Sequence, residues 1–318
     1  MKVLVTGGLG FIGSALVRKL LRRGDSVLNV DTMTYAADPQ NVNEVMPSDR
    51  YEFAKRDVAD SEAFADICLR YGPDAIAHLA AHSHVDNSIK EPAPFYRANY
   101  LGTVSVLEAT KRLGCRVLCV STDEVYGDRE GAEPATENTA MKPSSPYSAS
   151  KAAADLVCGA YRRTYGVDVV VARPCNCYGP YQHPEKMVPK ALISMACGSK
   201  VPLYGDGQQV REWLYVEDCA DALLILLEKG EAGEAYNVGS GERLSNVELL
   251  KTLADLCGVR YADSIRPVQD RPGHDRKYAM DSSRLAALGW KPGFDPEEGF
   301  AATAEWYRRN DWWWRWKL

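Results

Sequence analysis

Residues 121–127 read Ser-Thr-Asp-Glu-Val-Tyr-Gly, and Tyr147-Ser-Ala-Ser-Lys151 follows shortly after. A hydroxyl, two adjacent carboxylates, a phenol and an ammonium can together oxidise an alcohol by hydride transfer, abstract a proton and expel water. Hydride transfer needs only Thr122, Tyr147 and Lys151. Asp123 and Glu124 add the elimination. Tyr147 and Lys151 are four apart and so share one helical face, and an ammonium near a phenol favours phenolate, a base near neutral pH. Thr122 can hydrogen-bond the same substrate hydroxyl. Like-charge repulsion between adjacent carboxylates raises the proton affinity of one of them, which sets an acid beside a base. The bland alternative is a pair of solvated loop charges. Against it stands their place at the C-terminal end of a β-rich run, where parallel sheets bind ligands.

Those groups need a scaffold, and the first 125 residues alternate β-rich runs with helical patterns, as βαβ units do. The expected strands are Lys2–Thr6, Ser26–Val30, Tyr51–Lys55, Ala75–Leu79, Val117–Ser121 and Val167–Ala172. The expected helices are Ser14–Arg23, Asn99–Leu113 and Tyr147–Tyr165. Gly7-Gly8-Leu9-Gly10-Phe11-Ile12-Gly13 joins the first strand to the first helix. Glycine there allows positive φ and close backbone approach to a pyrophosphate, while the helix N-terminus offers free N–H groups and partial positive charge. Asp31 closes the second strand at the distance expected of a carboxylate on ribose hydroxyls, and it would repel a 2′-phosphate. Together they point to NAD, whose nicotinamide cation also favours the phenolate of Tyr147. Asp57 and Val58 after the third strand suit the adenine edge, although Asp57 reads equally well as a helix cap. Leu79, Ala80 and Ala81 after the fourth are small where a cofactor must lie close. The expected fold is α/β, a Rossmann-type doubly wound parallel sheet over residues 1–174 with a return near 212–238. A smaller mixed lobe over 175–318 would bind the substrate.

Composition narrows the classes. The chain has 318 residues, 46% hydrophobic and 25% charged, with a net charge of −5, which is ordinary for a globular protein and gives no electrostatic case for nucleic acid. Anionic ligands must be held by a few local cations and helix ends. The opening apolar run is too short for a membrane span or a secretory signal. Nine scattered cysteines fit reduced thiols in the cytoplasm better than a disulfide framework. Cys175-Asn-Cys177 near His183 matches no common zinc spacing, so no metal is expected. Asp218–Glu228 and Phe300–Arg309 read as helices. The tail Asp311-Trp-Trp-Trp-Arg-Trp316 is read as packing on the small lobe rather than as a membrane foot.

The chain as a whole resembles the extended short-chain dehydrogenase/reductase superfamily, and within it the nucleotide-sugar 4,6-dehydratases, most closely those acting on dTDP-glucose. The resemblance runs nearly end to end, through Asp31-Thr-Met-Thr-Tyr35, Ser83-His-Val-Asp86, Ser121–Gly127, Tyr147–Lys151, Asn176–Lys186, Gly205–Asp218, Tyr236-Asn-Val-Gly239 and Asp270-Arg-Pro-Gly-His-Asp275. It implies that Tyr147 takes the proton of the sugar C4 hydroxyl as hydride passes to NAD. The 4-ketone then acidifies the C5 hydrogen for Glu124, Asp123 protonates the departing C6 hydroxyl, and hydride returns to C6 while a proton returns to C5. NAD is recycled and stays bound. The resemblance further implies contacts to NAD at Thr34, Ser83 and Cys177. It places Ser83, Asn176 and Asn237 near the sugar or diphosphate, with His274 in the same region, and it implies a homodimer through helices such as Tyr147–Tyr165. By residue type, Lys186, Arg211 and Arg271 suit a diphosphate.

Three positions depart from the family pattern. His82 stands where glutamate is usual, Asn87 where arginine is usual, and Cys177 where asparagine is usual. None is a reacting group. Two other readings remain at this level: a sugar-nucleotide C4-epimerase or decarboxylase sharing the oxidation step, and a silent dinucleotide-binding protein. The first predicts no water loss. The second has no use for an activated phenol.

Overall fold

A computed structural model describes all residues 1–318. The β-rich runs form strands β1 (Lys2–Thr6), β2 (Ser26–Asp31), β3 (Tyr51–Lys55), β4 (Ala75–His78), β5 (Arg116–Val120) and β6 (Val169–Pro174). Further on lie β7 (Asn176–Tyr178), β8 (Val201–Tyr204), β9 (Val210–Tyr215), β10 (Ala235–Val238), β11 (Arg243–Ser245) and β12 (Ile265–Val268). The large sheet runs β10-β6-β5-β4-β1-β2-β3 and every pairing in it is parallel. This is the Rossmann-type sheet expected. Its strand order reverses between β1 and β4, which opens a crevice at their C-terminal ends.

Central strands of such a sheet are covered on both faces and therefore read as continuous apolar runs. Val3, Leu4 and Val5 of β1 are fully buried, as are Val117 and Leu118 of β5. One face packs on the helix Phe11–Arg23 with Leu16, Val17 and Leu20. The other packs on Phe64 and Cys68 of the helix Ser61–Tyr71 and on Val106 and Leu107 of the helix Gly102–Leu113.

The helix Ser61–Tyr71, capped by the side chain of Asp60, is absent from the sequence reading. Its short apolar stripe carries exposed Leu69 on the outer face, which blurs the 3.6-residue period. Helix N-termini also fall earlier than periodicity suggested. The first begins at Phe11, not Ser14, because glycine and the first-turn residues carry no periodic signal.

The second lobe is more regular than its Gly- and Pro-rich sequence suggested. It holds a three-stranded sheet β11-β9-β7 and a two-stranded β12-β8, around a core that joins Trp213, Leu249, Phe300 and Tyr307. Trp313 and Trp314 of the tail belong to that core, while Trp312 and Trp316 are exposed. Trp313 reaches further than expected, donating its indole N–H to Asn41 Oδ1 of the large lobe at 3.0 Å.

Candidate active site

One cleft of about 500 Å³ follows the C-terminal ends of β1, β2, β4 and β5. Gly7, Gly10, Phe11, Ile12, Gly13, Asp31, Thr34, Asp57, Val58, Leu79, Ala80, Ala81, Ser83 and Cys177, the residues assigned to the cofactor, all line it, together with Tyr147 and Lys151. Two glycines are required by space. A Cβ on Gly7, at φ +73°, would meet the Ala80 nitrogen at 2.7 Å, and one on Gly13 would meet the Gly7 carbonyl oxygen at 2.1 Å. The backbone turn is thereby kept tight beneath the start of the helix Phe11–Arg23, whose N-cap Gly10 presents no side chain. That is a cradle for a pyrophosphate.

Asp31 accepts hydrogen bonds from Leu9 N (3.1 Å) and Met33 N (2.8 Å), so it orients the glycine turn as well as facing the cleft. Burial pushes its pKa up. Asp57 is not the helix cap, a role that Asp60 takes. It accepts from Ala59 N and pairs with Arg97 at 3.2 Å. The residues present therefore fit NAD, with a glycine cradle for the diphosphate and a carboxylate at the end of β2.

A buried polar chain braces the wall opposite the glycine turn, and the sequence reading missed it. Thr6 Oγ1 accepts from Leu79 N and Ala80 N and donates to His78 Nδ1 at 2.7 Å. His78 Nε2 then donates to Thr103 Oγ1, which donates to Asn99 O. Burial holds the imidazole neutral, its pKa pushed down to about 3. Asn99 sits in a π-helical turn, Tyr96–Leu101, a distortion frequent at functional sites. It grips the His82 backbone at both N–H and C=O and donates to Ser150 Oγ. No apolar period reports such a chain. Three polar residues on separate elements meet only in space.

The groups expected to react, Thr122, Asp123, Glu124, Tyr147 and Lys151, all line the cleft. The helix Pro146–Tyr165 starts with a Ser145/Ser148 capping box and Pro146 at its first position, which puts Tyr147 in the first turn, where partial positive charge favours phenolate. Thr122 is the N-cap of the turn Asp123–Tyr126. Its hydroxyl accepts from Glu124 N at 3.3 Å and donates to Asp123 Oδ1 at 3.1 Å. Asp123 is 3% exposed, and its Oδ2 has no partner. Burial first, then the charge of Glu124, push this carboxyl up to about 8. Glu124 is also raised by burial, while Arg211, Arg271 and Lys186 pull it back. Of the two, Asp123 is the carboxyl that holds its proton to about 8, while the cations near Glu124 favour its charged form.

The phenol is a correction. Lys151 donates to the Val120 carbonyl at 2.7 Å, and it is not among the charges that act on Tyr147. Burial and the carboxylate of Glu124 push the phenol well above its ordinary range, and the Thr122 hydroxyl only partly opposes them. The protein's own surroundings thus hold Tyr147 neutral, burial first and the carboxylate of Glu124 second.

The substrate residues divide. Ser83, Thr122, Asn176 and Lys186 line the cleft, with Lys186 Nζ on the Ser83 carbonyl at 2.9 Å. Arg211 lies behind it, donating to the Val210 and Asp275 carbonyls under the Tyr278 ring. Arg271 pairs with Asp86 at 3.3 Å and His274 with Asp270 at 2.6 Å. Both arginines reach Glu124 through their charge. Asn237 is a correction. It is fully buried, accepts from Tyr126 OH and donates to the Ala135 and Asp281 carbonyls, so it ties β10 to its neighbours and has no group left for a ligand. Gln182, His183 and Glu185 line the cleft beside Lys186. They stood in the quoted Asn176–Lys186 segment, but only its lysine was read for charge.

Comparison with known proteins places the chain in a family. Residues 4–303 match the model of the GDP-mannose 4,6 dehydratase family. The dTDP-glucose 4,6-dehydratase 1 of Escherichia coli K12 is 44% identical over 340 residues, covering 98% of this chain and 94% of that protein. The chain belongs to the dTDP-glucose 4,6-dehydratase family. It is an NAD-dependent hydro-lyase. A double mutant of the family's Streptomyces venezuelae member, solved with NAD and a sugar nucleotide bound, superposes with a TM-score of 0.97 at 42% identity, covering 100% of both chains. The UDP-glucose 4-epimerase of Thermotoga maritima, 32% identical over 97% of this chain and 99% of its own, still gives a TM-score of 0.91. The fold alone therefore does not separate dehydration from epimerisation, and the discrimination must come from groups in the site. No helix is long and apolar enough to cross a membrane.

Proposed function

We propose that this chain converts dTDP-glucose into dTDP-4-keto-6-deoxyglucose and water, with its elimination carried by Asp123 and Glu124. The observation that carries the reading is the unpartnered, buried Oδ2 of Asp123, on a carboxyl pushed up to about 8 next to a second carboxylate. A carboxyl that keeps its proton at neutral pH can deliver it to a leaving hydroxyl. An epimerase has no use for such a group.

The roles follow from the surroundings of each group. Thr122 and Tyr147 hold the C4 hydroxyl, and Tyr147 takes its proton. Bound NAD supplies the acceptor for the C4 hydrogen and its later return to C6, and its cation lowers the phenol that the protein alone keeps neutral. Lys151 anchors the helix face beneath Tyr147 through Val120. Oxidation at C4 makes the C5 hydrogen acidic. Glu124 removes it, its charged form sustained by Arg211, Arg271 and Lys186. Asp123 protonates the C6 hydroxyl, which leaves as water, and as the hydride returns to C6 the proton held by Glu124 returns to C5. Lys186 from the cleft wall, with Arg271 beside it, is suited to the diphosphate, and Ser83 and Asn176 to the sugar side.

A homodimer is supported by Leu101, Leu156 and Tyr165, which are exposed on and beside the adjoining helices Gly102–Leu113 and Pro146–Tyr165. Nine unpaired cysteines support the cytoplasm as the compartment.

The substrate is tested by incubating the purified protein with dTDP-, UDP-, GDP- and CDP-hexoses and weighing the products. Loss of one water from dTDP-glucose is expected. Mass-neutral conversion of any of them supports epimerisation instead, and dehydration of a different nucleotide sugar alone would move the base assignment.

A further inference from the structure

The tryptophan-rich tail lies outside the chemistry described above, yet it ends against the cofactor loop. Between Asp31 and Val42 the chain forms one rim of the cleft, with Thr32, Thr34, Ala36 and Ala37 facing inwards. That rim is tied to the glycine turn at a single residue. Asp38 N and the Asn41 side-chain amide both donate to the Leu9 carbonyl, at 3.1 and 2.8 Å, while Leu9 N donates to Asp31. Leu9 lies in the middle of the phosphate cradle.

The tail grips the same two residues from behind. Lys317 Nζ donates to Asp38 Oδ2, in an ion pair whose side chains are both 5% exposed. Trp313 donates its indole N–H to Asn41 Oδ1, and the Lys317 ammonium lies 3.2 Å from the centre of the Trp313 ring. Asp38 spends its other oxygen capping Gln40 N, and Asn41 Oδ1 accepts from no other group. The Asn41 side chain thus joins the tail to the turn directly, while Asp38 does so through its carboxylate on Lys317 and its backbone N–H on Leu9. A buried ion pair of this kind is a poor source of net stability but a strong constraint on geometry, since removing one partner strands the other.

We propose that Lys317 and Trp313 are positioning residues that hold the Asp31–Val42 rim and the glycine turn closed over bound NAD, and so set how long the cofactor is retained between turnovers. The inference rests on NAD being the occupant of the cleft. Nothing in the tail touches the reacting groups, so its effect falls on cofactor exchange and leaves the chemical steps alone. A coupling carried through one such network is worth roughly 5–150-fold.

The test uses holoenzyme as purified. NAD content per protomer and the rate of exchange of bound NAD for isotopically labelled NAD are measured for the parent protein, Lys317→Met, Lys317→Arg and Trp313→Phe. Lys317→Met is expected to exchange NAD ~10-fold faster. Trp313→Phe keeps the ring but loses the N–H, and is expected to show a smaller increase in the same direction. Turnover at saturating NAD stays within about twofold of the parent, and Lys317→Arg, which keeps the charge but not the compact ammonium, exchanges NAD more slowly than Lys317→Met. If the variants melt earlier yet exchange NAD at the parental rate, the tail is a structural staple only and the inference is overturned. Unchanged melting and unchanged exchange overturn it as well. A parent protein that neither carries nor exchanges NAD would instead remove the cofactor assignment on which the inference stands.

Discussion

Asp123→Asn is expected to leave sugar oxidation intact while slowing water loss by ~10²–10⁴-fold, the usual worth of a general acid. The replacement suits the question because it is nearly isosteric. Asn keeps an oxygen to accept the Thr122 hydroxyl, the one hydrogen bond that Asp123 makes, and it removes only the dissociable proton at the unpartnered Oδ2. In single-turnover experiments the reduced cofactor should therefore accumulate, where in the parent protein it is consumed. Water loss at the parental rate in this variant would remove Asp123 from the acid role.

The same substitution has a signature in stability. In the folded chain Asp123 titrates at about 8, against an ordinary 3.8. Between these values the folded state holds a proton that the unfolded chain has released, so stability falls as pH rises through that window and is level above it. The loss is on the order of a few kcal/mol at most. Asp123→Asn, which cannot ionise, escapes it. Its melting temperature should gain on that of the parent progressively from pH 4 to pH 8. An equal gain at both pH values would show that the carboxyl titrates normally. In the parent, dehydration should also decline above about pH 8 as the acid is lost.

Tyr147→Phe blocks the reaction one step earlier. With no phenol to take the C4 proton, oxidation itself should fall by ~10²–10⁴-fold, with no reduced cofactor and no exchange of the C5 hydrogen with solvent. The ring stays in place, because Tyr147 packs edge-on to Phe95 with ring centres 6.5 Å apart and the Ser145 cap does not involve its hydroxyl. The two variants therefore fail at different points. C5 exchange in Tyr147→Phe comparable to the parent would mean that proton abstraction does not depend on prior oxidation.

The contrast also shows what could be read from the chain. The glycine turn, Asp31 and the Thr122–Glu124 segment were legible because each is local. A strand end, a tight turn and a helix start carry their own sequence signals, and chemistry at those points depends on a few consecutive residues. Tyr147 and Lys151 were legible as a pair through helical spacing, but the lysine's effect on the phenol was not. That effect depends on the Val120 carbonyl, which captures the ammonium, and on Glu124, which opposes phenolate. Asn237 was misplaced because a polar residue in a family motif reads the same whether it meets a ligand or, as here, three buried partners. The Thr6–His78–Thr103 chain and the Trp313–Asn41 bond were invisible for a related reason. They join residues tens to hundreds of positions apart, and no periodicity records a hydrogen bond across the fold.

Dehydration through C4 oxidation makes one atom-level demand, which is that the hydrogen removed from C4 reappears at C6 of the product as water departs. dTDP-glucose deuterated at C4 tests it in a single incubation, read by mass spectrometry and proton NMR of the product. Deuterium in a C6 methyl group, in a product lighter by one water, is the predicted result. Deuterium retained at C4 of a sugar that has lost no water but whose C4 configuration is inverted would contradict it and make the chain an epimerase on a dehydratase-like scaffold.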